Sequence, residues 1–71
     1  MNPNLQTIKN LYVECTRFGF SMDFKTAMAF YRKLEEFKTF IKKIPKRTND
    51  FEPYYKRAKS FYKELEIFQD F

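Results

Sequence analysis

Side chains able to do covalent or acid–base chemistry are scarce in this sequence. Cys15 is the single cysteine, and histidine is absent. A thiol or hydroxyl without an imidazole lacks the base that makes it a nucleophile, and no ordinary side chain here titrates near neutrality. Glu35 and Glu36 are adjacent, so on a helix they point about 100° apart and cannot share a substrate. Gly19 is the only glycine, which excludes a glycine-rich phosphate loop. One thiol and scattered carboxylates lack metal-ligand spacing. Catalytic residues, metal ligands and cofactors are therefore all expected to be none.

Binding chemistry remains, and it has two sources. Between Lys38 and Lys59 lie Lys38, Lys42, Lys43, Lys46, Arg47, Lys56, Arg57 and Lys59, opposed by Asp50 and Glu52 in a chain of net charge +5. Such a segment favours anionic partners through steering and counterion release: an acidic protein, a nucleic acid or an anionic lipid surface. The second source is aromatic. Ten Phe and five Tyr supply 21% of the residues. Bulky rings fill a small core, and any left at its edge would anchor an interface.

These groups must be positioned by a chain of 71 residues, which makes one domain, 1–71. A chain of this size buries only about 60% of its unfolded surface, so its core is marginal. A lone cysteine permits no internal disulfide and suits a reducing compartment. A partner is the stabiliser left, whether another protein or a second copy in a homo-oligomer. No stretch approaches the ~20 apolar residues of a membrane span, and no secretory signal opens the chain. The expectation is a soluble intracellular protein.

Periodicity divides the chain into three helices, about 3–18, 22–44 and 50–70. Pro3 suits a first helical position with Asn2 as its cap. Leu5, Ile8, Leu11, Tyr12, Cys15 and Phe18 then share about 140° of the helical wheel, and Gly19 ends the segment. Cys15 sits on that stripe as a structural thiol, and Val13 lies opposite. Ser21 is read as the second cap, with Asp23 in the first turn. The second helix spreads apolar residues over roughly 240°, with Phe30, Leu34, Phe37, Ile41 and Ile44 as a heptad-like seam. Met28 and Phe40 mark the two edges of that arc and are expected to stay exposed, as partner anchors. Pro45 stops the helix. Asp50 caps the third, whose stripe runs from Phe51 through Tyr54, Tyr55, Ala58, Phe61, Tyr62 and Leu65 to Phe68, with Ile67 outside it. Arg32–Glu36 and Glu52–Lys56 are spaced as i,i+4 pairs. The fold class expected is all-α, a three-helix antiparallel bundle.

Helix 1 also carries a resemblance. Leu11-Tyr12, with Arg17 and Phe18 following, resembles the opening of the LYR-motif proteins, small three-helix mitochondrial accessory factors. Val13 stands where that family has its arginine, and Phe20 is an alternative for the aromatic. The resemblance implies Leu11, Tyr12 and Arg17 as partner-binding residues and an acyl carrier protein, or a larger mitochondrial complex, as partner. It also implies a mitochondrial location, with the cytoplasm as the alternative. The reading is a non-catalytic adaptor or accessory subunit that docks by an aromatic seam and a basic face. The alternative is a small basic nucleic-acid-associated protein.

Overall fold

A computed structural model of the chain describes residues 3–18 and 22–70. It contains helix α1 (Leu5–Cys15), helix α2 (Phe24–Lys42), helix α3 (Glu52–Glu66) and a short 3₁₀ helix, Ile67–Asp70. No strand occurs among the described residues. All three pairs of α-helices are in contact, in a body of 41 × 22 × 14 Å.

Local chemistry sets the helix ends. Asn4 Oδ1 accepts from the Thr7 amide at 2.9 Å, and Thr7 Oγ1 accepts in return from the Asn4 amide at 3.4 Å. This reciprocal capping box starts α1 at Leu5. Pro3 therefore precedes the helix rather than opening it, and the expected cap Asn2 lies outside the described residues. At the far end the Thr16 hydroxyl donates to the Val13 carbonyl at 2.6 Å. The Arg17 and Phe18 amides donate three residues back, to Glu14 and Cys15, so the chain leaves in a tight turn. The α-helix is thus shorter than 3–18. Gly19, Phe20 and Ser21 lie outside the described residues.

Helix α2 begins where Asp23, not Ser21, takes the cap: its Oδ1 accepts from the Thr26 amide at 2.8 Å. Hydrogen bonds to Thr26 hold the Asp23 carboxyl below the usual range. The helix ends at Lys42, three residues before Pro45. Asp50 Oδ1 accepts from the Glu52 amide at 3.1 Å, while the cap position itself falls on Phe51, which contributes no side-chain bond. Pro53 sits in the first turn of α3, where a missing amide hydrogen costs nothing.

Ring contacts define the topology. Phe40 near the end of α2 meets Tyr54 near the start of α3, and Phe30 near the start of α2 meets Phe68 just beyond α3. These two helices are antiparallel. Phe18, just past α1, meets Tyr62 late in α3, so α1 runs parallel to α3 and against α2. The core contains Ile8 and Cys15 from α1, Phe30, Leu34 and Phe37 from α2, Ile44 from the turn, and Ala58, Phe61 and Leu65 from α3. Its centre takes one ring from each helix. Phe37 stacks on Phe61 at 5.0 Å and receives Tyr12 edge-on at 5.5 Å. Such pairs add about 0.5–1.5 kcal/mol to the area they bury.

The seam of α2 is largely as its spacing predicts. Phe30, Leu34, Phe37 and Ile44 are buried, and Ile41 is half-buried. The expected surface pairs differ. Among the described residues the ion pairs join Lys33 to Glu36 and, across helices, to Glu64, each at 3.3 Å, rather than Arg32 to Glu36 or Glu52 to Lys56. Antiparallel packing places Glu64 beside α2, and Lys33 is shared between two carboxylates. Partial desolvation acts to lower the Lys33 pKa, but hydrogen bonds to Glu64 and Glu36 prevail and hold it above its ordinary value.

Candidate partner-binding groove

The expected partner residues fall in four different places. Leu11 and Tyr12 are half-buried within the bundle, and the Tyr12 ring is occupied by Phe37. Arg17 is exposed in the turn after α1. Met28 is 53% exposed on α2, in line with the expectation for that edge. Phe40 is not exposed. It is half-buried, 5.6 Å from the Phe61 ring and 6.4 Å from Tyr54. The wheel placed Phe40 at the margin of the apolar arc, and antiparallel α3 covers that margin.

Phe40 instead forms the floor of a groove between α2 and α3. The groove has a volume of about 600 Å³ and is lined by Phe40 and Phe61, with Arg32, Lys43 and Arg57 among its polar rim. That size suits a bulky side chain or a small ligand. The Arg57 guanidinium lies over the Phe61 ring, 4.8 Å from its centroid. The ring face attracts the cation, and the guanidinium has five N–H donors with which to meet a partner. Glu35, Glu36 and Thr39 complete the rim. Glu36 is already paired with Lys33, whereas Arg32, Lys43 and Arg57 enter no ion pair among the described residues. The groove thus combines an aromatic floor with three unpaired cations and one unpaired carboxylate, Glu35. That suits an apolar side chain flanked by acidic groups.

The basic segment does not form one patch. Lys43 and Arg57 face the groove. Lys56 and Lys59 line a shallow depression of about 220 Å³ on the outside of α3, with Ser60 and Lys63, and Lys59 lies 5.5 Å from the Tyr55 ring centroid. Lys38 and Lys42 are exposed on α2, and Lys46 and Arg47 in the turn. Helical geometry divides them: residues close in sequence point to different sides once each helix packs.

Arg32, Phe61, Lys63, Phe24 and Tyr31 were not read from the sequence as partner-facing residues: Arg32 stood there only in an ion pair and Phe61 only on a core stripe. Phe24 and Tyr31 are 79% and 60% exposed, and with Met28 they form a stripe at i, i+4 and i+7. Their spacing with Met28 was the available signal. It went unused because a 240° arc does not say which side the neighbours leave bare. Val13 and Ile67, both off their stripes, are also exposed.

No group of three side chains able to hold a metal ion occurs among the described residues. No helix among them is long and apolar enough to cross a membrane. Comparison with known proteins finds no matching family model, no matching curated protein and no matching solved structure.

Removing the Phe40 ring separates its two contributions. Phe40→Ala is expected to cost about 1–3 kcal/mol, less than a fully buried phenylalanine, because part of the ring already faces water. Thermal unfolding followed by circular dichroism measures this. A loss as large as that of a central core ring would make Phe40 a core residue rather than a groove floor.

Proposed function

We propose that this protein is a non-catalytic helical adaptor that takes an acidic segment of a partner protein in the groove between α2 and α3. One observation carries the reading: an aromatic floor of Phe40 and Phe61 lies under Arg32, Lys43 and Arg57, none of them in an ion pair. An apolar anchor seated on the rings would exclude water around the charged contacts, which strengthens them. On the LYR-motif resemblance the partner would be an acyl carrier protein within a mitochondrial complex. Arg17 is the exposed residue of that motif, so carrier binding would involve the turn after α1 as well as the groove.

The test uses two charge reversals in the full chain. Arg32→Glu, Lys43→Glu and Arg57→Glu together alter the groove; Lys56→Glu, Lys59→Glu and Lys63→Glu alter the outside of α3. Captured proteins are quantified by mass spectrometry beside the unaltered chain. The groove variant is expected to lose its acidic partner by about tenfold or more, since three attractive rim charges become like-charge contacts, which cost several kcal/mol across an interface. The α3 variant should retain it. Equal retention on both variants would remove the groove from partner binding.

A second reading, association with nucleic acid, is favoured by the cluster of Lys56, Lys59 and Lys63. It makes the opposite forecast. Binding to single-stranded RNA would be lost in the α3 variant and would fall steeply with salt, by roughly 0.7 decades per decade of salt for each phosphate neutralised.

A further inference from the structure

The outer face of α2 has a composition that the groove does not use. Its first half exposes Phe24, Met28 and Tyr31, 79%, 53% and 60% accessible, on one line of the helix. No element among the described residues covers them. Exposed beside and beyond this stripe are Lys25, Arg32, Lys38 and Lys42, against Glu35. Glu36, the other exposed carboxylate of the helix, is held by Lys33. Large apolar side chains therefore occupy the start of the face, and cations flank them and fill its end. The helix has 19 residues, so the face extends about 28 Å.

We infer that α2 docks this face on an anionic lipid surface, with Phe24, Met28 and Tyr31 entering the headgroup region and Lys25, Lys38 and Lys42 meeting lipid phosphates. Three features select a bilayer over another protein. The apolar side chains project from a convex helix, whereas a protein partner would have to supply a matching hollow. Aromatic rings and long cationic side chains are the pair of residue types that interfacial helices use, the rings at headgroup depth and the cations extended toward phosphate. The charge sign is right for anionic lipid, which attracts each nearby lysine or arginine by roughly fivefold in affinity. Since no described helix can cross a membrane, attachment is peripheral and reversible. This inference is independent of the groove, because its apolar side chains and these three lysines lie outside the groove lining.

The experiment is vesicle co-sedimentation of the full chain. One set of vesicles is phosphatidylcholine alone, and the other is equal parts phosphatidylcholine and phosphatidylserine. The unaltered protein is expected to bind the mixed vesicles and scarcely the neutral ones. Phe24→Ser with Met28→Ser should lower binding about tenfold or more, and Lys25→Glu with Lys38→Glu and Lys42→Glu by on the order of a hundredfold. All these positions are exposed, so circular dichroism should show each variant still helical. The Met28→Trp variant reports insertion directly, through a blue shift of its emission on mixed vesicles alone. Equal binding by the serine variant, or loss only on Lys56→Glu, Lys59→Glu and Lys63→Glu, overturns the assignment to α2. Failure to bind vesicles, with lipid-free self-association that Phe24→Ser abolishes, assigns the face to a second copy and overturns it as well. Loss of partner capture by the groove variant leaves the vesicle result untouched, so the two readings fail separately.

Discussion

Phe37→Ala is expected to unfold most of the protein at room temperature. Phe37 is fully buried, stacked on Phe61 and met edge-on by Tyr12, so its ring joins all three helices. Truncating a buried phenylalanine costs about 3–5 kcal/mol, from lost burial and the cavity left behind. At roughly 0.05–0.15 kcal/mol per residue, a domain of this length has about 4–11 kcal/mol in total, and its small core places it toward the lower end. Urea titration followed at the helical circular dichroism bands is the measurement, with Val13→Ala as the control. Val13 is 47% exposed and should change stability by no more than about 0.5 kcal/mol. Similar midpoints for the two variants would refute the three-ring core.

Alkaline pH should destabilise the fold through Cys15. The thiol is fully buried, and burial first, then the charges of Glu14 and Glu66, push its pKa from 9.0 up to about 12. The folded state therefore keeps the proton at a pH where the unfolded chain releases it. Stability from this group is complete below pH 9 and is lost as pH rises through the interval from 9.0 to about 12. Across that window the folding constant should fall by up to tenfold per pH unit. Tyr62 adds in the same direction above its ordinary 10.0, since burial, aided by Glu14 and Glu66, raises its phenol too. Cys15→Ala isolates the thiol: the loss between pH 9 and pH 10 should largely disappear. In the folded protein at mildly alkaline pH, an aromatic disulfide reagent should react with Cys15 about a thousandfold more slowly than in urea. Rapid reaction of the folded protein would show that the thiol is neither buried nor held protonated.

The segmentation into helices was legible because it rests on local terms. Apolar spacing marks the stripes of α1 and α3, and Pro45 and Pro53 mark a stop and a first turn. Cap positions were read less well. The reciprocal bond of Asn4 and Thr7 displaces the start of α1 past Pro3, and Asp23 caps α2. Both signals are present in the chain, an amide or carboxylate side chain three residues before a threonine, but they compete with nearby Pro3 and Ser21.

By itself the sequence determined that the protein is helical, that its core is aromatic, that Cys15 lies on an apolar stripe and that its charge favours anionic partners. Each of these follows from residue type or from spacing along one helix. Only the tertiary structure decided which edge of α2 is covered. Antiparallel α3 packs over Phe40 and leaves Phe24, Met28 and Tyr31 to solvent. It also parted the cations, turning Lys43 and Arg57 into the groove and Lys56, Lys59 and Lys63 away from it. Helical periodicity defines the angles between side chains on one element, whereas the rotation of each helix about its own axis is set by how its rings meet those of its neighbours.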